Sequence, residues 1–145
     1  AVLNMTQVDV NVATIKGRSS LHLASYAGIL DVCQLLCDKG ADVEAKCVTT
    51  KETPLLFAIA KFHLNIVRYL VEKGADIETR NSHGWTPLFL AVHRDDIEVV
   101  KYLVDQGADL NAKSLGGRSL LDLAVDEGHH NIIMYLTKRG IKHGR

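Results

Sequence analysis

The sequence predicts an all-α solenoid: about four stacked helix–turn–helix units, joined by β-turn or hairpin fingers. Two periodic markers predict it. The first is Gly-Ala-Asp followed by an aliphatic residue, at Gly40–Val43, Gly74–Ile77 and Gly107–Leu110. Its steps are 74 − 40 = 34 and 107 − 74 = 33 residues, and a fourth glycine, Gly140, follows at 140 − 107 = 33. The second marker is a helix start at Ser19–Ala24, Thr53–Ala58, Thr86–Ala91 and Ser119–Ala124, whose alanines step by 34, 33 and 33. Two markers in phase over four copies are the signature of a stacked repeat array. Composition agrees. The chain is 47% hydrophobic but only 6% aromatic, the balance of an interior filled by Leu, Val, Ile and Ala.

Along the chain, Asp9-Val10-Asn11 precedes Asp42-Val43-Glu44 by 33 residues. Residues 1–13 therefore read as a partial leading repeat, with Val2 and Leu3 in the last turn of a preceding helix. The array is expected to be cut from, or evolved from, a longer stack. Repeat 1, residues 14–46, opens its first helix at Ser19. Its second helix carries Cys33 and Cys37, where the aligned repeats carry Val67 and Val71, or Val100 and Val104; two buried, inert thiols are expected there. Repeat 2, residues 47–80, holds one extra residue between Ala45 and Glu52. That residue should lengthen a finger tip and leave the helices in register. Cys47 is expected exposed on this finger.

Repeat 3, residues 81–113, is the cleanest. Thr86 caps a helix through its hydroxyl, and Pro87 suits the first helical position, where no amide donor is needed. Leu88, Leu90 and Ala91 give an apolar inner helix. Asp95-Asp96 offers a cap for the second helix, in which Ile97, Val100, Leu103 and Val104 recur at helical spacing. Gly107 can adopt the left-handed conformation that stops it. Repeat 4, residues 114–145, carries Asp122, Asp126, Asn131, Thr137 and Lys138 where inner repeats are more apolar, as a terminal cap requires. One unit cannot bury its own apolar face, so neighbours must stack, and one side of the array stays open.

Gly84-Trp85-Thr86-Pro87-Leu88 and Gly107-Ala108-Asp109-Leu110-Asn111-Ala112 carry a specific likeness: from Ile15 to Gly140 the chain resembles the ankyrin-repeat family. The resemblance implies a β-turn plus two antiparallel helices per repeat and a protein-binding scaffold. It places His22 at a histidine that orders the turn between repeats, and His129 at the start of a second helix. Repeat 2 departs from the pattern: Lys51 replaces a finger glycine and Phe62 an interhelical one. Phe62 is either an exposed apolar contact or folds back onto Leu64. The setting of Asn111 resembles that of ankyrin asparagines hydroxylated by an oxygen-sensing hydroxylase; a structural Asn tying the finger backbone is the preferred reading.

No catalytic, metal or cofactor site is expected. Cys33, Cys37 and Cys47 lack metal-type spacing, and the seven histidines form no set of acid, base and nucleophile. Gly116-Gly117 lacks the Lys-Ser/Thr that a phosphate loop needs. Lys+Arg and Asp+Glu both number 17, without the basic excess of nucleic-acid binders. The longest clear apolar run, Leu55 to Ala60, is too short to span a bilayer, and no signal-peptide pattern is visible. Free thiols fit a reducing compartment. A cytoplasmic or nuclear location and a monomeric state are expected. The basic tail, Lys138, Arg139, Lys142, His143 and Arg145, reads either as a contact for an acidic partner or, the preferred reading, as cations that complement a helix C-terminus.

The expected function is non-catalytic recognition of another protein on the finger and inner-helix face. Carried over from the resemblance, that face holds Arg18, Tyr26, Glu52, Lys61, His83, Trp85, His93, Arg94, Arg118, Asp126 and Glu127. Tyr26, Trp85, Arg94 and Arg118 are of the types that dominate interface hot spots, although Trp85 could equally pack on a neighbouring finger. Two alternatives stand beside this: a targeting or regulatory module of a larger enzyme or channel, and a small inhibitor that occludes a partner's cleft.

Overall fold

The computed structural model describes residues 17–140. Among them are eight helices: α1 (Ser20–Ala27), α2 (Leu30–Asp38), α3 (Pro54–Ala60), α4 (Leu64–Glu72), α5 (Pro87–His93), α6 (Ile97–Asp105), α7 (Leu120–Glu127) and α8 (His130–Lys138). They pack in four consecutive pairs, α1 on α2, α3 on α4, α5 on α6 and α7 on α8. The expected partial repeat at 1–13 lies outside the described residues. The chain divides into two compact units, one ending at Asp76 and the other starting at Ile77, where the sequence reading has one domain. Contacts in a repeat array are local, so compactness is set between adjacent pairs.

The first helix of each pair starts on a hydroxyl. Thr53 accepts from the Leu56 N–H and Thr86 from the Phe89 N–H, each followed by proline at the first helical position. Ser19 and Ser119 instead form reciprocal capping boxes with His22 and Asp122. Thus Asp122, expected as a polar cap-face residue, also closes the start of its own helix.

Between the helices of each pair the chain takes one left-handed step. Glycine fills it at Gly28 (φ 81°) and Gly128 (φ 71°), but Phe62 (φ 65°) and Asp95 (φ 58°) fill it in the inner pairs. Phe62 stays 55% exposed, which selects the exposed of its two readings. Asp96, not Asp95, caps α6 by accepting from the Val99 N–H.

The finger of repeat 2 closes by a Cys47 N–H to Glu52 carbonyl bond (3.0 Å), spanning 52 − 47 = 5 residues. The fingers of repeats 3 and 4 close from Asn81 to Trp85 (3.1 Å) and from Ser114 to Arg118 (3.0 Å), each spanning four. The extra residue therefore lies between Cys47 and Glu52. The loop absorbs it before the left-handed position that Lys51 (φ 60°) shares with Gly84 and Gly117, and Thr53 caps α3 as Thr86 caps α5.

In the first unit Leu21, Leu55, Leu56, Ile59, Ile66 and Leu70 are fully buried, and in the second Val99, Val100, Leu103, Leu120, Ile132 and Leu136. In α6 the buried stripe is Val99, Val100 and Leu103, while Ile97 and Val104 are half-buried; Val99 belongs to the core and was missing from the expected set. Its neighbour Val100 is on the same side of the helix, which rotates the stripe away from Ile97. The Gly-Ala-Asp motif ties successive repeats together. Glu44 accepts from the Asp76 N–H (2.6 Å) and Glu78 from the Asp109 N–H (2.8 Å). At the position of Glu44 and Glu78, repeat 3 has Asn111, which is exposed and whose N–H is held by the Asp109 carboxylate at 2.8 Å.

Candidate partner-binding surface

In the first unit, two expected surface residues, Arg18 and Tyr26, meet a side chain not among those expected on this surface, Phe57 of α3, and a third, Lys61, stands on Tyr26. Phe57 is 6% exposed and serves as a platform. The Arg18 guanidinium stands 5.3 Å from its ring centre. Tyr26 meets it edge-on at 5.9 Å, and the Lys61 ammonium lies 4.9 Å from the Tyr26 ring. Tyr26 and Lys61 are exposed, while Arg18 and Glu52 are half-buried. Glu52 works inward as well as outward: its carboxylate accepts from the Thr50 hydroxyl (3.1 Å) and its carbonyl from His22 (2.8 Å). Such cation–ring contacts contribute about 0.5–1 kcal/mol where exposed, so they order the side chains more than they stabilise the fold.

His22 is fully buried, and its two nitrogens have distinct partners. Nδ1 accepts from the Ser19 N–H (3.1 Å), so Nε2–H donates to the Glu52 carbonyl. The neutral imidazole thus links the start of α1 to the next finger. Burial, the largest influence, pushes its pKa below the ordinary value of 6.5, against the Glu52 carbonyl bond, which raises it.

In the second unit four of the expected residues form one connected chain, His83–Trp85–His93–Glu127, and two more, Arg118 and Asp126, form a pair. Trp85 is half-buried and its ring lies 4.9 Å from that of His93. His83, exposed, is 6.2 Å from Trp85 on the other side. His93 Nδ1–H donates to the Glu127 carboxylate at 2.9 Å, which joins repeat 3 to repeat 4. Arg118 pairs with Asp126, and both are exposed; an exposed pair of this kind contributes at most about 1 kcal/mol. Arg94, next to His93 in sequence, is exposed. Trp85 packs on its own repeat's His93 and is half-buried, so part of the indole remains open to solvent. Leu115, at the tip of the fourth finger, is 77% exposed.

Two histidines hold these patches in place. His63 Nε2–H donates to the Tyr26 carbonyl at 3.1 Å, and His129 Nε2–H to the His93 carbonyl at 3.2 Å. They are 129 − 63 = 66 residues apart, two repeats, and each reaches the end of the first helix in the preceding repeat. The sequence carried this signal in the repeat phase. Arg80, exposed overall, belongs to the same framework, donating to the Gly84 and Lys113 carbonyls, both at 2.7 Å, and so fastening the third finger to the fourth.

The thiols correct two expectations. Cys47 is 1% exposed, not exposed on the finger. It occupies the finger-start position of Asn81 and Ser114, and like them it turns inward, with Sγ 2.9 Å from the Thr50 hydroxyl. Burial alone would raise its pKa; the finger's hydroxyls and amides, Thr50 foremost, outweigh this and lower it. Cys33 is buried, but Cys37 is only half-buried. Burial raises the pKa of both. Among the described residues, no group of three or more His, Cys, Asp or Glu could hold a metal ion. No helix there is long and apolar enough to cross a membrane.

The family model for ankyrin repeats matches three times, over residues 2–81, 44–114 and 79–145. The chain belongs to the ankyrin-repeat family. Ankyrin repeats generally serve as protein–protein interaction modules, and ankyrin domains are typically non-catalytic. Similar proteins include the B-cell lymphoma 3 protein homolog of Mus musculus, 32% identical over 53% of this chain and 17% of that protein. The BRCA1-associated RING domain protein 1 of Caenorhabditis elegans is 37% identical over 48% of this chain and 10% of its own length. Ankyrin repeat and SAM domain-containing protein 6 of Mus musculus is 43% identical over 53% and 9%. The ankyrin chain thus covers under a fifth of each of these relatives.

Proposed function

We propose that this ankyrin domain is a non-catalytic scaffold that recognises a partner protein through its finger and first-helix side chains, acting as an intracellular monomer. The observation that carries the reading is the connected chain His83–Trp85–His93–Glu127, together with the exposed pair Arg118–Asp126. Its aromatic and cationic side chains are of the types that anchor interfaces. They stand on helices and fingers fixed by His129 and Arg80, so little ordering cost falls on the scaffold when a partner binds. The strip Arg18–Phe57–Tyr26–Lys61 offers the same chemistry in the first unit. Mixed charge suits a partner with polar, sign-alternating features. Three unpaired thiols support the intracellular setting.

The test is a pull-down from source cells with the wild-type chain beside Trp85→Ala/Arg118→Ala and Arg94→Glu/Arg118→Glu, followed by affinity measurement on the purified partner. The two arginine changes leave the packed edge of Trp85 intact. Melting curves must coincide before binding is compared. A partner bound at least tenfold more weakly by both variants supports the site. A partner bound equally by all three moves recognition off this patch.

A second reading is favoured by the small share of each relative that the chain covers: a targeting or regulatory module of a larger protein, in which the same patch docks the module. Sequencing of the full transcript distinguishes the two.

A further inference from the structure

Four of the large apolar side chains left in solvent lie together. Leu23, Ile29, Val32 and Leu35 of the first helix pair are 46%, 49%, 39% and 48% exposed. With Ala24 and Ala27 they line a shallow depression of about 410 Å³ on α1 and α2 in which no charged side chain takes part. A contiguous apolar surface of this kind marks a contact in a protein that remains soluble.

The repeat phase identifies what fits it. Leu23 corresponds to Phe57 and Leu123, which are 6% and 2% exposed, and Val32 to Ile66 and Ile132, both 0%. Those side chains are covered by the preceding repeat: α3 packs on α1, α4 on α2, α7 on α5 and α8 on α6. Phe57, for example, sits 5.0 Å from His22 and 5.9 Å from Tyr26. The position of Ile29 is held in repeats 2 and 4 by His63 and His129, which bond the preceding first helix. An isoleucine there has no hydrogen bond to give, so this seam is closed by apolar packing alone.

The last helix pair is built differently. On α7 and α8 the exposed residues include Asp126, Glu127, His130, Asn131, Thr137 and Lys138, the polar finish that a terminal repeat needs. The α1–α2 face has no such finish. In sequence, Asp9-Val10-Asn11 keeps the 33-residue phase with Asp42-Val43-Glu44, and the ankyrin match begins at residue 2.

We infer that the α1–α2 face is an interior seam, the seat of a further ankyrin-type helix pair that precedes it in the same repeat order. The occupant is apolar toward Leu23, Ile29, Val32 and Leu35 and makes no charged contact with them. A second copy of this chain is the rival occupant.

The test compares the 145-residue chain with the same chain extended at its amino end by one ankyrin-type helix pair. That pair is held in the 33-residue phase, apolar toward α1–α2 and polar on its other side. Each is also made with Leu23→Glu/Val32→Glu and, as a milder pair should glutamate disturb folding, Leu23→Ser/Val32→Ser. Melting temperature is read for all, and sedimentation for the unextended chain. Extension should raise the melting temperature by about 5 °C or more, and the paired substitutions should abolish that rise while lowering the unextended chain much less. No rise, or a rise that survives substitution, overturns the inference. A dimer of the unextended chain that the substitutions dissociate assigns the face to a second copy, and equally overturns it.

Discussion

Phe62 shows what a single residue costs when it replaces glycine. Its φ of 65° is a conformation that side chains with a Cβ adopt at a cost of about 1–2 kcal/mol, and its ring, 55% exposed, recovers little of that by burial. Phe62→Gly should therefore stabilise the protein by about 0.5–1 kcal/mol after the larger backbone entropy of glycine in the unfolded chain is subtracted. The urea midpoint measures this, and an unchanged or lower midpoint would show that the ring's contacts outweigh the strain. His22 gives a pH dependence at the same scale. Its folded pKa lies below 6.5, so as pH falls through the unfolded value the unfolded chain takes up a proton that the native protein refuses. Stability is fully present above that pH and declines as pH drops through the folded pKa. Melting temperature should fall as pH drops below the ordinary histidine value of 6.5, and His22→Asn, destabilised throughout, should show a shallower fall. Parallel curves for the two proteins would place the titration elsewhere.

At the scale of the element, both helix starts in the inner repeats are legible because Thr-Pro states two physical requirements at once: an oxygen for an orphan amide, and no amide at the next position. Thr86→Ala should cost about 1 kcal/mol, and Thr86→Ser much less. Denaturant titration of the three proteins checks it, and equal losses for Ala and Ser would show that the methyl group, not the hydroxyl, matters there. The fingers were less legible. The sequence bounded the extra residue of repeat 2 to 45–52, but only the hydrogen bond from Cys47 to Glu52 narrows it further. Cys47 was misplaced for a related reason. A thiol reads as neither a turn former nor a finger anchor, whereas Asn81, which accepts from the His83 and Trp85 N–H groups, is recognisable as one. Of the candidate surface, the residue types and their repeat positions were readable. The platform Phe57 and the couplings of His93 to Glu127 and His63 to Tyr26 were not, because they join positions 31 or more residues apart, at distances that periodicity does not state.

For the whole molecule, local contacts mean that stability is a sum over repeats and their seams, so it need not be even along the chain. The burial pattern says where it is highest. Every residue of α3 from Pro54 to Ile59, and of α5 from Pro87 to Val92, is buried. In α1 only Leu21, His22, Ala24 and Ser25 are buried, and in α7 only Leu120, Leu121, Leu123 and Ala124. The second helices follow the same order. α4 and α6 each bury three side chains, whereas α2 buries Cys33 and Leu36 and α8 buries Ile132 and Leu136. Repeats that bury less open at lower free energy, since local opening exposes less apolar surface. Hydrogen exchange followed by mass spectrometry should therefore find the slowest amides in α3 to α6, with α1–α2 and α7–α8 exchanging first. Addition of a helix pair on the α1–α2 face should slow α1 and α2 specifically and leave α7 and α8 unchanged. Uniform exchange across all the helices would mean that the chain opens only as a single cooperative unit, and the repeat-by-repeat account of its stability would fail.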